Sequence, residues 1–361
     1  MYPEILEDID DQTFIDFMSD VSAFMQVIEM RHCDIHFIRL LNDQIFPSTQ
    51  SFIWLDATVN MGRRASADED EGELQEVIGP DEEEHQFIDE DVNMLIRIFP
   101  NLKVLKLKGC QITGKHLSQL VSLQQLSLND CQYLDSDNFR DVFQCINLRK
   151  FDIMEDCDEI NCCDLVELKN CPSLEHVKIA DYHLCFDTDI VNDILRMPRL
   201  KKLSICSKNF VFDILERISR SRLKQIEAFK FKGVLHNFER FFQELTHMAE
   251  LKKLSFYECR GYDIEGIRDH MLREISKQLS QLEEIHFCSC DLESENGILS
   301  FLQNCRQLRV VNLTSIRKCF NTSLVWRFME LMKKQKWRTS AVELWLKDTD
   351  VDRNVLEVCI Q

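Results

Sequence analysis

The stretch Ser122–Cys131, SLQQLSLNDC, sets apolar Leu123, Leu126 and Leu128 against polar Gln124, Gln125, Ser127 and Asn129. Such alternation predicts a strand with one buried face. The pattern L-x-x-L-x-L, with β-branched or aromatic substitutes, recurs along the chain. It appears as Leu102–Leu107, Leu123–Leu128, Leu148–Ile153, Leu174–Ile179, Leu200–Ile205, Leu251–Phe256, Leu282–Phe287 and Leu308–Leu313. Two poorer copies start at Leu223, with inserted residues, and at Ala341. Successive starts lie 21, 25, 26, 26, 23, 28, 31, 26 and 33 residues apart. Chance alternation does not keep a register over most of a chain, so this is a repeat array.

The spacers carry a second period. After the second copy come Leu134, Phe139 and Phe143, after the third Ile160, Leu165 and Leu168, and before the last good copy Leu292, Ile298 and Leu302. Apolar residues three to five apart predict short helices that cover each strand from one side. One such strand and helix cannot bury that face alone, but a stack can. The cysteines follow the register. Cys110, Cys131, Cys157, Cys259 and Cys290 lie eight or nine residues after their copy's first apolar position; Cys145, Cys171 and Cys305 lie three before it. Met197 and Met248 fill the second site in other copies, which points to apolar packing.

The pattern C-x-x-L-x-x-L-x-L-x-x-C, with spacers like Cys110–Leu120 (CQITGKHLSQL), resembles the cysteine-containing subclass of leucine-rich repeats over Leu102 to Leu346. The resemblance implies an α/β leucine-rich-repeat solenoid of about ten repeats, with a parallel concave sheet and convex helices. That subclass is typical of F-box proteins, the substrate receptors of cullin–RING ubiquitin ligases. An F-box opens with a pattern like L-D-D-x-x-L-x-x-I-F-x-x-L, and Ile9–Val21 reads IDDQTFIDFMSDV. Asp10 or Asp11 is placed to cap a helix whose apolar face is Phe14, Phe17, Met18 and Val21. Cys33-Asp34-Ile35-His36-Phe37 is near the family's V-C-x-x-F element but one residue longer, and the usual Leu-Pro opening is absent. Under this resemblance Ile9, Phe14, Phe17, Met18, Val21 and Phe24 would meet the Skp adaptor. The alternative is a helical cap that shields the open edge of the first repeat.

Residues 1–60 are thus expected to form a helical, degenerate F-box-like module, with Ser51–Asn60 as a strand or turn leading outward. Residues 61–86 are expected to be a disordered acidic linker, and residues 87–361 the array with a terminal cap. The 361-residue chain has a formal net charge of −19. Asp68–Asp91 alone holds 13 acidic residues and no Lys or Arg, leaving −6 for the remainder. A run of this kind is read as solvated, or as an electrostatic contact with the array or a basic partner. The acidity argues against general nucleic-acid binding, and no apolar run is long enough to span a membrane. The opening MYPEILEDID lacks the features of an export signal, so the 16 cysteines are read as thiols in the cytoplasm or nucleus.

On a repeat strand, template positions 1, 4 and 6 point into the core and the others toward solvent. Ten strands at the usual spacing present an inner face about 45 Å long, suited to a protein or peptide. At positions 2 and 3 stand Lys103, Arg149, Lys150, Lys201, Lys202, Lys224, Lys252, Lys253 and Arg309, against Glu175, Glu283, Glu284 and Glu343. This basic stripe, centred on Lys201, Lys202, Lys252 and Lys253, is read as attraction to an acidic protein substrate, or as ordinary solvated filler. Tyr257, His286 and Trp345 lie more centrally on that face. Tyr257 and Trp345 are candidate anchors, unless Trp345 packs beneath the C-terminal tail. Neither Cys157-Cys162-Cys163 nor Cys288-Cys290 has zinc-ligand spacing, and no phosphate loop or recognisable nucleophile is present. The resemblance therefore implies a non-catalytic substrate-recognition subunit of an SCF-type ubiquitin ligase, with the Skp adaptor on the N-terminal module, a protein substrate on the concave face, and no metal or cofactor; the alternative is a protein-binding scaffold or adaptor without ligase function.

Overall fold

A computed structural model describes residues 10–31, 33–55, 86–131, 133–154, 165–180, 197–206, 215, 223–235, 237–261, 266–316, 322–334 and 341–347. The chain divides into two compact units, Met1–Leu174 and Glu175–Gln361.

In the first unit, strands β1 (Val27–Arg31), β2 (Ser51–Leu55), β3 (Val104–Lys108), β4 (Gln125–Asn129) and β5 (Lys150–Met154) pair in order, all parallel. Leu105, Leu126 and Phe151 share one register position, and Leu107, Leu128 and Ile153 the next inward one. All six are buried. Helices α1 (Asp11–Val21), α2 (His36–Arg39), α3 (Asp89–Ile98) and α4 (Ser136–Cys145) belong to this unit, with 3-10 turns at Leu117–Gln119 and Val166–Asn170.

The second unit holds β6 (His176–Ala180), β7 (Lys202–Cys206), β8 (Ala228–Leu235), β9 (Lys253–Gly261), β10 (Glu284–Cys288), β11 (Val310–Asn312) and β12 (Glu343–Trp345), again parallel and in order. Its helices are α5 (Phe238–Leu245), α6 (Asp269–Gln278), α7 (Glu295–Asn304) and α8 (Thr322–Lys334). Phenylalanines join sheet to helix in both units. Phe151 meets Phe139 and Phe143 of α4 at 5.8 and 5.1 Å, and Phe256 stacks on Phe242 of α5 and on Phe287, each at 5.3 Å. The chain has a leucine-rich-repeat fold.

Two devices repeat along it. Gly109, Asp130, Gly233, Glu258, Ser289 and Ser315 all have positive φ and occupy one repeat position, past the end of the strand except in β8 and β9, where Gly233 and Glu258 mark an irregularity in the pairing. In β3, β4 and β10 the left-handed residue turns the chain off the sheet. A cysteine follows in four copies, and its thiol donates to the carbonyl two residues back: Cys110 to Lys108, Cys131 to Asn129, Cys259 to Tyr257 and Cys290 to Cys288. At the second cysteine site, Cys171 donates to the carbonyls of Phe143 and Ile146, and Cys305 to those of Ser276 and Leu279, at the end of the preceding helical segment. Cys145 departs from its expected packing role and is exposed. The second device is an aspartate opening a helix. Asp89 accepts from Thr113 N and Oγ1 and from Gly114 N, at 3.0, 2.6 and 3.1 Å; Asp269 accepts from Ser294 Oγ and Gly297 N. Each ties its helix to the loop of the next repeat.

Three expectations need correction. First, the described part of residues 1–60 is not wholly helical. β1 and β2 continue the repeat sheet, with Ile28 and Met30 opposite Phe52 and Trp54, which lie opposite Leu105 and Leu107. Position 1 of these two repeats is Met25 and Thr49, and the Thr49 hydroxyl donates to the Met25 carbonyl. Polar Thr49 and bulky Trp54 mask the template. Second, Cys33 donates to the Arg31 carbonyl at 3.3 Å, the same turn contact as in later repeats. It is a repeat-turn cysteine, not part of an F-box-like element. Third, the acidic run does not link two domains. It lies between β2 and α3 of a single repeat, whose Trp54 and Phe87 rings sit 5.6 Å apart. Its last members are structural. Asp91 pairs with Arg39 at 3.0 Å and accepts from Ile88 N, and both Asp89 and Asp91 are buried. Residues 61–85 lie outside the described residues.

Candidate docking face

Side chains alternate along each strand, so the face opposite the core is tiled in rows across the second unit. One row runs His176, Lys202, Ala228, Lys253, Glu284, Val310, Glu343. The next runs Lys178, Ser204, Lys230, Ser255, His286, Asn312, Trp345. A third includes Ala180, Cys206, Lys232, Tyr257 and Cys288. Tyr257, His286 and Trp345 stand in these rows.

The basic stripe is present but largely neutralised from within. Glu227 accepts from Lys201 at 2.6 Å and Lys252 at 3.1 Å. Glu284 pairs with Lys253 at 2.6 Å and His286 at 3.1 Å. The lysines hold both carboxyls below the usual glutamate range. Of the four central lysines, only Lys202 has no ion pair among the described residues. Burial lowers the His286 pKa, with Glu284 opposing, so this ring adds no positive charge at neutral pH.

The sixth copy explains what the sequence reading misses. Leu203 pairs with Phe229 and Ile205 with Phe231, so the template starts at Ile226, not Leu223. Lys224 therefore precedes the repeat and leaves the stripe, while Glu227 enters it at position 2. Lys230 and Lys232 arrive on the open face. Reading Ile226–Phe231 (IEAFKF) in place of Leu223 gives spacings of 26 and 25, a signal already in the sequence. The Lys230 ammonium sits 4.0 Å above the Tyr257 ring. Burial, helped by Lys178 and Lys232, holds its pKa below the ordinary lysine value.

Trp345 is 55% exposed, and its indole donates to Glu343 at 3.3 Å. The tail from 348 onward lies outside the described residues. In the N-terminal set, Asp10 caps α1 by accepting from Thr13 N and Oγ1. Phe14 and Met18 are buried, with Phe14 edge-on to Phe37 at 5.1 Å, and Val21 is half-buried. Phe17 is 47% exposed and Phe24 82%. Ile9 lies outside the described residues. The six do not form one face. Two anchor the helix, and Phe17 and Phe24 look to solvent. Among the described residues no three metal-ligating side chains come together, and no helix is long and apolar enough to cross a membrane. Cys157, Cys162 and Cys163 lie outside those residues.

No family model matches the chain, and no curated protein matches it. Solved structures do. An internalin from Listeria monocytogenes aligns over 98% of this chain and 89% of its own, at 12% identity and a TM-score of 0.41. A TLR13–ssRNA13 complex aligns over 92% of this chain and 42% of its own, at 12% identity and 0.45. The Rad7 and Elc1 complex of yeast aligns over 70% and 76%, at 15% identity and 0.38. The fold assignment rests on the strand register rather than on these likenesses.

Proposed function

We propose that this chain is a non-catalytic protein receptor that holds its partner on the open sheet face of the second unit, in the cytoplasm or nucleus. The observation that carries this reading is the tiled face itself. It is a continuous parallel surface of lysine, serine, histidine and aromatic side chains, with no concave cleft needed to use it. The test is site-specific photo-crosslinking. A photoreactive residue at Asn312, on the face, should give discrete protein adducts in cells, and one at Lys277, on α6, should not. Adducts from both positions alike, or from neither, would sink the reading.

A second reading makes the receptor the substrate-recognition subunit of an SCF-type ubiquitin ligase, so that the bound partner is ubiquitinated and degraded. One observation favours it: Phe17 and Phe24 leave an apolar surface on the N-terminal segment uncovered. In this reading the Skp adaptor covers them and the cullin follows. Co-purification of the adaptor should be lost when Phe17 and Phe24 are both changed to Asp. Absence of the adaptor from the wild-type preparation removes the ligase role and leaves the receptor intact.

A further inference from the structure

Most lysines on the open face meet a carboxylate supplied by a neighbouring strand. Lys178 and Lys230 do not. They flank Ser204 on the two adjacent strands, at the same register position. Neither has a carboxylate partner among the described residues. Lys232 stands at the rim, paired with Glu258 at 3.3 Å. Ser204 is only 8% exposed and lies between the two lysines on the sheet.

We propose that Lys178, Lys230 and Ser204, with Lys232 at the rim, form a recognition site for a phosphorylated side chain of the protein partner. This rests on the receptor reading above and names what that face selects.

The argument is one of charge and placement. With no carboxylate paired to either ammonium among the described residues, the two lysines set positive charge on both sides of Ser204. A phosphoryl monoester carries about −1.5 to −2 at neutral pH, whereas a carboxylate supplies one charge and leaves a lysine uncompensated. Lys230 is already held over the Tyr257 ring, so less side-chain freedom is lost when an anion arrives. Its half-buried position strengthens attraction to an anion and raises the cost of remaining unpaired. The Ser204 hydroxyl adds a donor between them. The contrast with Glu227 and Glu284 shows that this sheet supplies carboxylates to its lysines elsewhere.

The probe is a pool of short peptides with randomised flanks around a central phosphoserine, with matched glutamate and serine pools, offered to the immobilised full-length chain. The phosphoserine pool should be retained roughly tenfold or more over both others. Lys178→Gln with Lys230→Gln should abolish the preference, while Lys202→Gln should keep it. Unfolding curves matching wild type show that the double variant is folded. Equal retention of the glutamate pool, no retention of any pool, or indifference to the double substitution would each overturn the site. Phosphatase treatment before crosslinking from Asn312 separates the two readings. Adducts that persist remove the phosphoryl site and leave the receptor; absence of adducts before treatment removes both.

Discussion

The two units share a buried plan and differ on their open faces. In both, leucine and phenylalanine fill the strand positions that face the helices, and a left-handed residue follows the outward rows at one repeat position. On the open face of the first unit, apolar Val27, Ile53, Leu55 and Val104 stand among Glu29, Arg31, Lys106, Lys108, Lys150 and Asp152, with Ser127 buried. On that of the second stand Lys178, Lys202, Lys230, Lys232 and His286. The repeat fixes inward side chains by burial and leaves outward ones free, so one scaffold carries a face of mixed apolar and charged residues in one unit and a lysine- and serine-rich face in the other.

The largest effects should fall equally on both units, because they strike what is shared. Phe151→Ala and Phe256→Ala should each cost about 3–5 kcal/mol in chemical denaturation. If only one does, the units do not share their packing plan. Next come the aspartate ties. Asp89→Ala and Asp269→Ala leave buried donors unmet and should each cost about 1–3 kcal/mol. At Gly297 even a methyl group would stand 2.7 Å from Leu272 Cδ1, so Gly297→Ala should lower the melting temperature of the second unit.

Acid should separate the units. Glu227 and Glu284 have folded pKa values below the ordinary 4.5. Their contribution is therefore present above pH 4.5 and lost as pH falls through the lower folded values. Stability measured against pH should drop less steeply for Glu227→Gln than for wild type over that acid window. The same variant frees Lys201 and Lys252, and near neutral pH it should tighten binding of an acidic partner; unchanged binding would mean that the stripe plays no part. The smallest stability effect belongs to the N-terminal helix. Phe17→Ser should shift stability by less than about 0.5 kcal/mol, while Phe14→Ala, which empties a packed position, should cost several times more.

Much of the array was legible because leucine at fixed spacing has one physical meaning, a stacked strand. The first two strands were hidden because Thr49 satisfies position 1 through a hydrogen bond rather than an aliphatic side chain, and Trp54 stands where leucine is expected. Their register was also interrupted, with 53 residues separating Thr49 from Leu102 against 24 from Met25 to Thr49. The docking face was half legible. Position within a repeat shows which lysines point outward, but pairing with Glu227 or Glu284 depends on neighbouring strands and their exact register. A three-residue misplacement of the sixth copy, from Leu223 to Ile226, was enough to put Lys224 on the face and leave Lys230 off it.

The junction between β2 and α3 has a further consequence. The chain departs after Leu55 and is back by Phe87, beside the Trp54 ring it has just left. Where two chain ends are pinned together, the entropy of closing the intervening segment grows only logarithmically, about 0.6 kcal/mol for each doubling of its length. That seam is a permissive port. A sensor domain, an affinity tag or a new regulatory peptide spliced between Leu55 and Gln86 would ride on the protein without disturbing the sheet, and evolution has the same freedom there.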